Sequence, residues 1–232
     1  MSISSVKMTT KSKKTKTQPA CTPVFRPVKP LTENQHRLIE AIEDNTITFA
    51  VGKPGTGKSV ISVGKAVEAL MTHEVDKIIL TRPIIEAGES MGFLPGSFQE
   101  KIHPYLIPLF DALELFITPT QIKELRGLNK IDIVPLNYMR GRSLRNSFVI
   151  FDEMQNATYP QLTMALTRLA SGSKFVLNGD LKQSDLHSKM QGGLRRCIEG
   201  LGNIEDIDIV ELTDEDIVRH PLVSAIVDAL EL

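Results

Sequence analysis

Apolar positions along this chain fall into two alternating patterns. Short apolar runs rich in β-branched residues occur at 46–51, 77–82, 131–135, 147–153, 174–178 and 207–212. Between them, apolar residues return every three or four positions, as on a helix face buried against a core. The helical stretches begin near residue 32 and continue at 60–70, 104–116, 120–128, 159–170, 190–200 and 221–230. Strands alternating with helices predict an α/β protein with a mainly parallel sheet. The strand runs are apolar on both alternate positions, so both sheet faces should be covered by helices, a doubly wound arrangement.

Local signals sharpen several of these elements. Thr32 followed by Gln35 matches a capping box, with Leu38, Ile39 and Ile42 as the apolar stripe of the first helix. Gln35 also stands some ten residues before the first strand, a place from which an amide can read an adenine edge; both readings remain open on the residues alone. Pro104 is expected in the first turn of its helix and Pro108 as a kink. Thr158 should cap the 159–170 helix, with Leu162, Ala165, Leu166 and Leu169 facing inward. The connection 84–96 is rich in turn residues and long for a compact domain, which suggests a functional loop.

The chemistry concentrates where strands end. Gly52-Lys53-Pro54-Gly55-Thr56-Gly57-Lys58-Ser59 fits G-x-x-x-x-G-K-[ST], between a predicted strand and a predicted helix. Such a loop aims backbone N–H groups at phosphate oxygens, and the helix N-terminus adds partial positive charge. Lys58 would meet the β- and γ-phosphates and Ser59 would hold Mg²⁺. The strand 147–151 runs into Asp152 and Glu153. Asp152 would hold Mg²⁺ through water, while Glu153 would orient the attacking water and accept its proton. Gly179-Asp180-Leu181-Lys182-Gln183 ends the next strand and would bring Gln183 near the γ-phosphate.

Composition excludes several classes. With 232 residues, 41% of them hydrophobic, the chain can build a substantial core. Cys21 and Cys197 are the only cysteines, too few for a disulfide framework or a four-cysteine zinc site, which suggests a reducing, cytoplasmic setting. No apolar run is long enough to span a membrane, and no signal-peptide core is seen. Net charge is −1, but seven of the 27 Lys and Arg lie in residues 1–30, which contain no Asp or Glu. The remainder therefore has 20 basic against 28 acidic residues. The 1–30 segment is expected to be a basic, flexible tail, either a nucleic-acid arm or a solubilising extension, ahead of a domain over 31–232.

Taken together, these motifs resemble the PhoH family of ATPases. The resemblance is carried by Gly52 to Ser59, Thr81-Arg82-Pro83 with Glu86-Ala87-Gly88-Glu89, and Phe93-Leu94-Pro95-Gly96. It continues in Tyr138-Met139-Arg140-Gly141-Arg142, Phe151-Asp152-Glu153-Met154-Gln155-Asn156, Gly179 to Gln183 and Val218 to Val223. Met154 departs from the usual Ala, and Thr167-Arg168-Leu169-Ala170 lacks a usual glycine. The resemblance implies a RecA-like P-loop domain like the first motor domain of superfamily 1 helicases, in a compact form similar to those carried by bacteriophages. It implies ATP and Mg²⁺ as ligands, ATP hydrolysis, and RNA or single-stranded DNA as a partner. It also makes Gln35 the adenine reader and Gln183 the γ-phosphate sensor. Nucleic acid should be met by the tail, Arg82 and Lys101; for Arg82 a salt bridge to Glu86 or Glu89 is an equal reading. No second motor domain follows in the sequence, so a hexameric ring is expected, with Arg140 or Arg142 serving a neighbour's site. The competing functions are a nucleoside-kinase-like phosphotransferase and a nucleotide-regulated binding module with negligible turnover.

Overall fold

The computed structural model describes residues 25–84, 98–218 and 222, the side chains of 98–103 and 189 excepted. Six strands, β1 (Ile47–Val51), β2 (Lys77–Arg82), β3 (Ile131–Pro135), β4 (Ser147–Phe151), β5 (Lys174–Gly179) and β6 (Ile207–Glu211), form one sheet. Its order is β3-β2-β4-β5-β1-β6 and every pairing is parallel. The helices are α1 (Glu33–Asp44), α2 (Lys58–Met71), α3 (Phe98–Glu114), α4 (Pro119–Gly127), α5 (Tyr159–Leu166) and α6 (Gly193–Leu201).

Successive side chains of a strand point to opposite faces, and here both faces are dry. Ala50, Ile78, Leu80, Phe148, Ile150 and Val176 enter the core beneath α1, α2, α3 and α4. Phe49, Val51, Ile79, Val149, Phe151 and Phe175 enter the opposite core, which α5 and α6 cover. The double winding predicted from continuous apolar runs is therefore present. Ligand sites in such sheets lie beyond the carboxyl ends of the strands.

Several boundaries differ from the sequence reading. Helix α3 starts at Phe98, so Pro104 is interior rather than in the first turn, and Pro108 lies inside as well. An interior proline costs about 3 kcal/mol; burying Leu106, Leu109 and Leu113 against the core offsets that cost. Helix α5 stops at Leu166 and Leu169 is partly exposed rather than inward. There the chain leaves the helix to pair with the 144–146 segment, Leu144 N donating to the Arg168 carbonyl at 3.0 Å. Helix α6 begins at Gly193, behind Gly192 in the left-handed region, and Met190 belongs to a separate short turn. Residues 25–30, read as tail, lie on the body: Arg26 N donates to the Phe116 carbonyl at 2.9 Å, and Phe25 and Val28 pack on the first core. Residues 1–24, most of the 84–96 connection, the side chain of Lys101 and, apart from Leu222, the 221–230 helix lie outside the described residues. Among the described residues no helix is long and apolar enough to cross a membrane.

Candidate nucleotide site

The P-loop leaves β1 at the sheet's carboxyl edge. Gly52 N donates to the Gly179 carbonyl at 3.1 Å, pinning the loop to β5. A Cβ on Gly52 would stand 2.5 Å from the Leu212 carbonyl, and one on Gly57, at φ 88°, would stand 2.9 Å from Gln35 Nε2. Only glycine fits both positions. Within the loop, Thr56 Oγ1 donates to the Lys53 carbonyl at 2.8 Å. Lys58 Nζ donates to the carbonyls of Gly52 (2.6 Å) and Lys53 (2.7 Å). Burial lowers the Lys58 pKa, an effect opposed by the charges of Asp180, Glu153 and Asp152. An ammonium stripped of water at the N-terminus of α2 is a natural partner for phosphate.

Across the cleft, Ser59 Oγ donates to Asp152 Oδ1 at 2.7 Å. Asn178 on β5 joins them: its Oδ1 accepts from Ser62 at 2.9 Å and its Nδ2 lies 3.4 Å from Asp152 Oδ1. Burial raises the Asp152 pKa, the Ser59 hydrogen bond and the Arg82 charge pull it down, and the Glu153 charge pushes it up. A hydroxyl and a desolvated carboxylate in contact form an oxygen donor set that suits a hard cation such as Mg²⁺. Asp180, another cleft-lining residue, has its Oδ2 buried and, among the described residues, without a hydrogen-bond partner. The residues fit the metal that a P-loop uses.

Strand β4 ends at Phe151, one residue before Asp152, so both carboxylates lie beyond the sheet. Glu153 takes φ 55°, which turns the chain sharply toward a short 3₁₀ turn, Met154–Asn156. Its Oε1 is 2.8 Å from Arg82 Nη2, and its Oε2 accepts from Gln155 Nε2. Arg82 is therefore committed inward to Glu153 rather than set out for nucleic acid; Glu86 and Glu89 lie outside the described residues.

The cleft has a volume of about 470 Å³ and is lined by Pro54, Gly55, Gly57, Lys58 and Ser59 of the loop, together with Asp152 and Glu153. Such a volume accommodates a small organic ligand. Gly52, Lys53 and Thr56 form the loop's framework instead; the Lys53 side chain turns away to Asp214 at 2.7 Å. The capping box at α1 is half formed: Thr32 accepts from Gln35 N at 3.2 Å, but the Gln35 amide goes elsewhere. Its Oε1 accepts from Leu31 N (2.8 Å) and its Nε2 donates to the Thr56 carbonyl (3.1 Å), at the cleft wall beside Val28 and Leu31.

Gln183 is exposed and faces an adjoining hollow, not the cleft. Gln155 lines the cleft in its place, and its Oε1 accepts from Asp180 N at 3.1 Å. The reason is local: Asp180 Oδ1 accepts from Lys182 N at 2.8 Å, and this tight turn directs Gln183 outward. Arg142 pairs with Asp132 at 3.0 Å and Arg140 is exposed on the neighbouring turn. The sequence reading missed Asn178, Gln155 and the apolar wall of Val28, Leu31 and Val218. An asparagine inside an otherwise apolar strand was the available signal for the first.

A P-loop joined to an acidic strand end on a parallel α/β sheet defines a P-loop nucleotide-binding fold of the RecA-like type. The PhoH-like protein family model matches residues 27–231, and the chain belongs to that family. A PhoH-like protein of Mycobacterium tuberculosis is 52% identical over 202 residues, covering 87% of this chain and 57% of its own length. The Bacillus subtilis PhoH-like protein is 46% identical over 200 residues (86% and 63%). Escherichia coli Protein PhoH is 41% identical over 198 residues (84% and 56%). This chain thus spans about three-fifths of these relatives. Among solved structures, the bacteriophage T4 UvsW helicase gives a TM-score of 0.46 at 14% identity, covering 82% of this chain and 64% of that one. A Bacteroides Pif1 bound to single-stranded DNA gives 0.40 at 17% identity (88% and 46%).

Proposed function

We propose that this protein binds ATP with Mg²⁺ and hydrolyses it. The observation that carries this reading is the direct contact of Ser59 with Asp152, with Glu153 next in the chain and on the cleft wall. Lys58, freed from the loop carbonyls, meets the phosphates, and the N–H groups of the loop point at their oxygens. Gln35, beside Val28 and Leu31, reads the base. Ser59 and, through water, Asp152 would hold Mg²⁺, which would supply neutralisation of the phosphate charge. Glu153 accepts the proton of the attacking water.

Hydrolysis is coupled to RNA or single-stranded DNA in this reading, supported by the family and by the basic 1–30 segment. The working species is a homo-oligomer, with a hexameric ring favoured and Arg140 as the candidate arginine for a neighbour's site; Arg142 is the weaker candidate because Asp132 already engages it.

The test is phosphate release with Mg²⁺, measured alone and with RNA, single-stranded DNA or nucleosides. Lys58→Ala and Glu153→Gln should each abolish release, and Glu153→Gln should still bind ATP. Phosphate appearing on a nucleoside instead of in solution would establish a phosphotransferase, and nucleotide binding without turnover would establish a binding module.

A further inference from the structure

Both oxygens of the Glu153 carboxylate are engaged by side chains. Gln155 holds Oε2 from within the same turn, while Arg82 holds Oε1 from another strand. The Arg82 guanidinium has further neighbours: Nε lies 4.0 Å from Asp152 Oδ2, and Nη1 donates to the Tyr105 carbonyl of α3 at 3.3 Å. One planar group thus spans β2, the turn after β4, and α3. Strands β2 and β4 are neighbours in register, Thr81 opposite Phe151, so Arg82 and Asp152 leave the sheet side by side.

Glu153 needs such support. Its backbone occupies the left-handed region, which a residue with a side chain seldom adopts, and a glutamate on a turn has several rotamers to choose among. Its direction toward the cleft is therefore set by its partners. A lysine at 82 would offer a point charge on a flexible stem, whereas the guanidinium presents N–H groups in fixed directions to Glu153 and the Tyr105 carbonyl.

We propose that Arg82 is a positioning residue for hydrolysis: it fixes the direction of the Glu153 carboxylate and ties that direction to α3. This rests on the reading of Glu153 as the group that takes the proton from water. The geometry explains why an arginine, largely shielded at 21% side-chain exposure, ends on a carboxylate that lines the cleft.

The experiment compares Arg82→Ala, Arg82→Lys and Glu153→Gln in the full chain, measuring kcat, nucleotide affinity and melting temperature. Misplacing a reacting group by about 1 Å costs about 10²-fold in rate, and Arg82→Ala should lose about that much in kcat. Nucleotide affinity and melting temperature should stay near wild type. Arg82→Lys should recover only a small part. Guanidinium ion added at millimolar, non-denaturing concentration should restore part of the Arg82→Ala rate and none of the Glu153→Gln rate. Adding Arg82→Ala to Glu153→Gln should leave its residual rate unchanged, because the arginine acts through that carboxylate. An unchanged or faster Arg82→Ala enzyme, a loss traceable to weaker nucleotide binding or a lower melting temperature, or a further fall in the double variant would overturn the proposal. A fully active Glu153→Gln protein would defeat the assignment of the base itself, whatever the Arg82 variants did.

Discussion

Asp152 and Asp216 invite comparison. Both are buried, 5% and 1% exposed, and each accepts from an asparagine amide and from hydroxyls, one at Asp152 and two, Thr32 and Thr213, at Asp216. Asp216 receives Thr32 Oγ1, Asn34 Nδ2 at 2.9 Å, and the Thr213 backbone N–H at 2.6 Å. Burial pushes its pKa up, but those hydrogen bonds together outweigh it and hold the carboxyl below the usual range. Among the described residues Asp152 receives only Ser59 at 2.7 Å and a long contact from Asn178 at 3.4 Å; burial, with Glu153 as a like charge beside it, raises its pKa. One carboxylate is completed by the chain and clamps the start of α1 to the turn after β6. The other is left short of partners among the described residues, as expected where a cation binds. The same residue type in the same kind of setting is thus held fast by the chain in one place and, on the proposed reading, left open to a ligand in the other, according to how many donors the fold supplies.

Substituting the two acids should separate these roles most strongly. Asp152→Asn should lower Mg²⁺-dependent phosphate release by about 10³-fold or more. It should also abolish the Mg²⁺-dependent part of the nucleotide-induced thermal shift. The unfolding free energy of the ligand-free protein should fall little, because the amide can still accept from Ser59.

Asp216→Ala should do the reverse. It strips acceptors from Thr32, Asn34 and Thr213 and should cost about 2–4 kcal/mol in urea unfolding. The lowered folded pKa of Asp216 sets the sign of its pH dependence. Its stabilising contribution is present above the unfolded carboxylate pKa and is lost as pH falls through the folded one. Wild type and Asp216→Ala should therefore converge in stability on acidification below about pH 4. Curves that stayed parallel would show that the carboxylate charge contributes nothing.

The smallest effect is expected at Lys53, where the two regions meet. Its ion pair with Asp214 is well exposed, 44% and 67%, so Lys53→Ala should change stability by about 0–1 kcal/mol. Phosphate release should stay within about twofold, because only the Lys53 backbone belongs to the P-loop framework. A large loss of nucleotide affinity would show that the lysine swings back to the phosphates.

Legibility in the sequence followed the range of the interaction involved. The P-loop could be read because its function is a local backbone conformation that demands Gly52, Gly57, Lys58 and Ser59 in fixed order. Asp152 and Glu153 could be read because they follow an apolar strand, and a parallel sheet places strand ends at the site. Gln35 was legible only as two alternatives; the fold takes its backbone into the cap and its amide to the P-loop wall. Gln183 was misplaced because the Asp180 turn, a matter of two hydrogen-bonding atoms, directs it outward. The start of α3 was missed because proline rules describe an isolated helix, and core burial overrode them.

Among the described residues the amino-acid order alone settled which segments become strands and helices, though not where the helices end, since burial on both sheet faces writes continuous apolar runs, and it settled the phosphate loop. It could not decide which strand lies beside which. Placing β2 next to β4 sets Arg82 against Glu153, 71 positions away in the chain, and placing β5 between β4 and β1 sets Asn178 between Ser62 and Asp152. Such contacts join residues far apart in the chain, and they exist only once the sheet has fixed the order of its strands.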